Sequence, residues 1–77
     1  MKQAPEIEMS PNARTLLDAM FAHSKSSPRN GVTIRANTID LRQISGVPHR
    51  LIPDLLGELQ GRNLIARKAY GYWRILA

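Results

Sequence analysis

This 77-residue chain contains no cysteine, so neither a disulfide nor a thiolate metal site holds it together. It has no apolar run near the roughly 20 residues that a membrane span needs, and its N-terminus lacks a secretory hydrophobic region, so no membrane partner is expected. It has no glycine-rich phosphate loop, no internal repeat and no low-complexity segment. Acidic residues are scarce: 6 Asp and Glu stand against 11 Lys and Arg, for a net charge of +5. That deficit points to a polyanionic partner, most often nucleic acid. The plainer alternative is a soluble protein that is merely basic. The lack of cysteine is compatible with a cytoplasmic location, with nucleoid association if the chain binds DNA.

What is present is enough for one small domain. A chain of this length buries only roughly 60% of the surface it exposes when unfolded, so its apolar residues must be placed efficiently. Residues 1–9 show no period and contain Pro5, and they read as a flexible arm ahead of a domain over residues 10–77. Ser10-Pro11 is a helix start, with the hydroxyl as N-cap and proline where its missing N–H is harmless. Ala13, Leu16, Leu17, Met20 and Phe21 then follow on one face, which predicts a core-facing helix over residues 11–23. Such a stripe serves core packing rather than a ligand pocket.

Residues 24–31 (SKSSPRNG) have loop composition, and Val32, Thr33, Ile34 and Arg35 alternate as a short strand does. Asn37 or Thr38 caps a second helix over residues 39–45; with Asn37 as the cap, Asp40 falls at the third helical position. Gly46 stands where a tight turn between helices needs a residue tolerant of positive φ. Ile52, Leu55, Leu56 and Leu59 mark a third helix, to Gly61, with an irregular start near His49 or Arg50 that keeps Pro53 within the first turn. Residues 64–68 and 72–76 read as two strands joined at Gly71, with Trp73 and Ile75 facing the helices and Tyr72, Arg74 and Leu76 facing away. The fold class is α+β, mainly α: three helices and a short C-terminal β-hairpin.

Leu41-x-x-Ile44-x-Gly46-Val47, then Ile52, Leu56 and Leu59, then Asn63-Leu64-Ile65 with basic Arg67-Lys68, resembles the winged helix-turn-helix domains of bacterial and phage transcription regulators. The resemblance covers about residues 10–76. It implies that helix 3, at about residues 49–61, is the recognition helix and that the hairpin over residues 64–76 is the wing. Gly46-x-Pro48 and Trp73-Arg74-Ile75 are also similar to positions in domains that bind left-handed duplexes. Those domains use an asparagine and a tyrosine where this chain has Pro53 and Gly57, and neither residue makes such contacts.

A recognition helix of this kind presents His49, Arg50, Pro53, Asp54 and Gly57 to base edges. Arg50 has the donor pair for guanine, and His49 reaches a base or a phosphate. Asp54 repels phosphate unless it accepts from cytosine or orders Arg50. Pro53 and Gly57 read little. Arg67, Lys68 and Arg74 on the wing and Arg42 on helix 2 are candidate backbone contacts. Tyr70 and Tyr72 either meet the sugar-phosphate chain or cover the hairpin. Lys25, Arg29 and Arg14 read as solvated surface charge. His23 and His49 lie on different elements with no ligand set nearby, so no metal site is expected. No cofactor is expected, and no arrangement of residues suggests an enzyme.

Two functions fit. The first is a DNA-binding domain of a small transcriptional regulator, with double-stranded DNA as partner and a homodimer on repeated half-sites as a candidate arrangement. The second is a winged helix serving protein–protein interaction, alone or in a larger protein. The weakly basic face at Pro53, Asp54 and Gly57 favours it, as does a chain that ends at Ala77, directly after the last expected strand.

Overall fold

The computed structural model describes residues 10–76; the expected arm over residues 1–9 lies outside them. Helix α1 spans Pro11–Ala22, α2 spans Thr38–Ser45 and α3 spans Ile52–Gly61. Strands β1 (Lys25–Ser27), β2 (Gly31–Arg35), β3 (Ile65–Ala69) and β4 (Tyr72–Ile75) form one antiparallel sheet in the order β1-β2-β4-β3.

Each helix end has a local cause. The Ser10 hydroxyl accepts from the Ala13 N–H at 3.2 Å, and Pro11 opens α1. The Ser10 N–H donates to Glu58 on α3 at 3.3 Å, which ties the two helices together. Asn37 and Asp40 form a reciprocal capping box at the start of α2, with the Asp40 N–H donating to Asn37 Oδ1 at 2.8 Å. At the end of α3, Asn63 adopts φ 59°, the Leu64 N–H donates to the Leu59 carbonyl at 3.0 Å and the Asn63 N–H to Gln60 at 2.9 Å. Those paired bonds make a Schellman stop, with asparagine in the left-handed position that glycine usually holds.

Two expectations change. The segment expected as a loop supplies β1, which pairs with β2 through Lys25–Thr33 and Ser26–Val32. Its polar residues carry no strand signal; the strand exists because β2 offers its backbone an antiparallel partner. The hairpin of residues 65–75 is therefore half of a larger sheet, and β2 and β4 lie at its centre. The second change is Phe21. It continues the apolar spacing of α1, yet it is 57% exposed, because it sits on the last turn beyond the edge of the core. The helix also ends at Ala22, with His23 as its C-cap.

The core lies between the helices and one face of the sheet. Ala13, Leu16, Leu17 and Met20 come from α1, Leu41 from α2 and Ile52, Leu55, Leu56 and Leu59 from α3. Ile34, Ile65, Trp73 and Ile75 complete it from the sheet, so Trp73 and Ile75 face the helices as the alternation predicts.

Gly57 is the one weak point of α3 away from its end. An added Cβ there meets nothing within 4 Å. Gly57→Ala should therefore stabilise the domain by about 0.5–1 kcal/mol, since alanine restricts the unfolded chain and favours helix. A denaturant midpoint that stays the same or falls would show that the helix face is not open.

Candidate nucleic-acid interface

The turn between α2 and α3 sets the geometry. Gly46 closes α2 at φ 76°, a left-handed conformation that costs a side-chain-bearing residue roughly 1–2 kcal/mol. Its N–H donates to the Arg42 carbonyl at 2.8 Å. The Ser45 hydroxyl donates to the Leu41 carbonyl at 2.6 Å and accepts from the Val47 N–H at 3.1 Å. Val47 is buried beneath the turn. The chain is thus pinned on both sides of the reversal.

A single 3-10 turn, His49–Leu51, precedes α3, and its Leu51 N–H donates to the Pro48 carbonyl at 3.0 Å. This is the irregular start that Pro53 demands. The regular helix begins at Ile52, so Pro53 falls where no intrahelical donor is needed. His49 and Arg50 are exposed at the head of α3. Asp54 is exposed in the first helical turn, at the positive end of the helix dipole. Beyond it the outward face is bare: a Cβ added at Gly57 or Gly61 meets only open space. Glu58 is half-buried and engaged with the Ser10 N–H and, at 3.8 Å, with Arg62.

The wing packs against this helix across a cleft of about 230 Å³. Asn37, Pro53, Gln60, Arg67, Tyr70 and Trp73 are among its lining residues. Gln60 lies two turns beyond Pro53 on the same flank of α3, a spacing from which its place beside the wing follows. The wing tip is anchored to the head of α2. Gly71, at φ 70°, accepts from the Ala36 N–H at 2.8 Å, and a Cβ at Gly71 would lie 3.7 Å from the Ala36 carbonyl.

The candidate contacts divide between two faces. Arg67 pairs in register with Trp73 and lies on the cleft side, its guanidinium 5.9 Å from the Tyr70 ring centre. Tyr70 is exposed at the wing tip. Lys68 falls in a β-bulge, because Arg67 pairs with Trp73 while Ala69 pairs with Tyr72. Arg74 pairs with Ala66 on β3 and Thr33 on β2, one residue out of step with Trp73, so it lies on the outer face of the sheet. The structure therefore brings Arg67 and Tyr70 together beside α3 and sets Arg74 apart from them. Arg42 is exposed in the last turn of α2.

Among the described residues, no group of three or more His, Cys, Asp or Glu is placed to hold a metal ion. No helix among them is long and apolar enough to cross a membrane.

No protein-family profile and no curated protein sequence matches the chain. Among solved structures, the chain is similar to a transcriptional regulator of the CRP family from Thermus thermophilus, with a TM-score of 0.64 and 18% identity. The match covers 94% of this chain and 38% of that one, so the chain spans well under half the length of its structural neighbour. Helix, strand pair, helix–turn–helix and closing hairpin together make this chain a winged helix-turn-helix domain.

Proposed function

We propose that the chain is a DNA-binding domain of a small transcriptional regulator, with α3 in the major groove and the wing on an adjacent backbone. One observation carries the reading. His49 and Arg50 stand exposed at the head of α3, while Arg67 and Tyr70 stand across the cleft on an anchored wing. This reading gives base contact to the head of α3 and backbone contact to the wing. The similarity to a transcriptional regulator supports a binding role over an enzymatic one.

Because the α3 face is bare after Asp54, base readout rests on Arg50 and His49, and affinity rests on the cations around them. Arg50→Ala should remove about 1–3 kcal/mol of discrimination between the preferred and a mismatched duplex. Lys68→Ala should weaken all duplexes alike and lower the salt slope by about one unit. Fluorescence anisotropy with duplex DNA at two salt concentrations measures both. Undetectable binding at low salt, or binding that does not fall as salt rises, would falsify the DNA reading.

A lone domain with so few base contacts binds weakly, and pairing on repeated half-sites compensates. Most of the apolar face of α1 is committed to the core. What α1 offers a second copy is its end, where exposed Phe21 lines a shallow apolar depression with Leu17, Asp18 and Ile75. A cytoplasmic, nucleoid-associated location follows from this reading.

The open Gly57 and Gly61 positions favour a second reading, protein–protein interaction, because a flat helix face admits close approach of another backbone. The same titration separates the two: a protein-binding module gives no salt-dependent duplex binding.

A further inference from the structure

The strands of the sheet carry Lys25, Arg35, Arg67, Lys68 and Arg74 and no acidic residue. Strand register sorts these cations. Lys25, Thr33, Arg74 and Ala66 lie in one row across the sheet, and Arg35, Tyr72 and Ala69 lie in the next row on the same face. That face is opposite Ile34, Trp73 and Ile75, so it points away from all three helices. Lys25 and Arg74 are separated by two strand spacings, roughly 10 Å. Among the described residues, no carboxylate pairs with Lys25, Arg35 or Arg74.

The side chains lie low over the sheet. The Arg35 guanidinium carbon sits 4.3 Å from the centre of the Tyr72 ring. The Arg74 guanidinium lies over Gly31, its Nη2 only 3.1 Å from where a Cβ would stand, so a glycine is what lets it settle there. At one side the face dips into a hollow of about 170 Å³ lined by His23, Lys25, Thr33, Arg35 and Tyr72 among others. Nitrogen donors thus surround a concavity whose floor includes an aromatic ring already stacked with a guanidinium. This is the chemistry of a single-stranded nucleic acid site: cations that follow a phosphodiester chain, and a planar stack on which an unpaired base rests.

We propose that the outer face of the sheet is a second nucleic-acid surface, which takes a single strand with a phosphate at Lys25 and Arg74 and a base on the Arg35–Tyr72 stack. It is separate from the α3 and wing surface and does not depend on how that surface is used. A duplex held at α3 lies on the other side of the domain, so both surfaces are accessible together.

The test is anisotropy of a labelled oligothymidylate of about 12 nucleotides with the full chain at low and moderate salt. The expected result is salt-dependent binding that weakens about tenfold in Lys25→Ala/Arg35→Ala and in Tyr72→Leu. Thr33→Lys adds a cation at the centre of the patch and should tighten binding, which keeps the test decisive if another variant folds poorly by circular dichroism. Duplex affinity should be the same in Thr33→Lys as in the parent, and saturating duplex should leave the oligothymidylate bound. The proposal is overturned if the single strand does not bind at low salt, or if duplex displaces it. It is equally overturned if Arg50→Ala and Arg67→Ala weaken it as much as the sheet variants do.

Discussion

Trp73→Ala should destabilise the domain by about 3–5 kcal/mol, the range for removing a buried large aromatic side chain. Trp73 is 6% exposed at the middle of a central strand, paired with Ile34 on one side and Arg67 on the other. It packs into the core and also lines the cleft between α3 and the wing. Its loss leaves a void that the anchored wing cannot close, because Gly71 remains bonded to Ala36. A domain of this length has a total stability of about 4–12 kcal/mol, so the variant retains little of it. With roughly 4–8 °C of Tm per kcal/mol, thermal melting should fall by more than about 10 °C. Trp73→Phe, which keeps a ring in place, should lose much less. A melt within about 3 °C of the parent for Trp73→Ala would mean that the ring is not the keystone between sheet and helices.

Leu41→Ala should cost about 2–5 kcal/mol, and its effect should be uneven across the molecule. Leu41 is fully buried and is the only buried residue of α2. An eight-residue helix does not hold together in water by itself, so α2 persists through its capping box and its apolar face, where half-buried Ile44 supports Leu41, the main anchor. Without the anchor, α2 should open ahead of the rest, and the Gly46 turn with it. Amide hydrogen exchange reads this directly: protection in α2 should fall more than protection in α1. Equal loss in both helices would show that the domain opens only as a whole. Leu41→Met, which conserves volume, should cost less than about 1.5 kcal/mol and separates cavity from chemistry.

How far the fold is legible depends on whether an element's cause is local. The caps at Ser10 and Asn37, the left-handed turn at Gly46 and the stop at Asn63 are all set within a few residues, and each is readable from spacing. The proline-forced start of α3 is readable for the same reason. Strand β1 is not, because Lys25–Ser27 becomes a strand only against β2. The pairing of β2 with β4 joins residues far apart in the chain, so the four-stranded sheet lies beyond any local pattern. Phe21 misleads because helical phase reports direction and not depth: it points along the apolar stripe but past the end of the core. For the candidate site, alternation alone places Arg74 with Tyr72 and away from Trp73. The bulge at Lys68 has no such signal, so grouping the wing cations by sequence proximity joins side chains that the sheet separates. Lys25 and Arg35 come to share a face with Arg74 and Tyr72 only once both hairpins belong to one sheet.

The order β1-β2-β4-β3 has a final consequence for how copies of the domain meet. Its two edges are β1 and β3. The first is three residues long and is followed by Pro28; the second is bulged and carries Arg67 and Lys68. Short length, proline, a bulge and edge cations are the features that blunt strand addition from outside. Sheet extension from one molecule to the next is thereby closed off at both ends. Any contact between copies would then fall to side-chain surfaces rather than to strand edges.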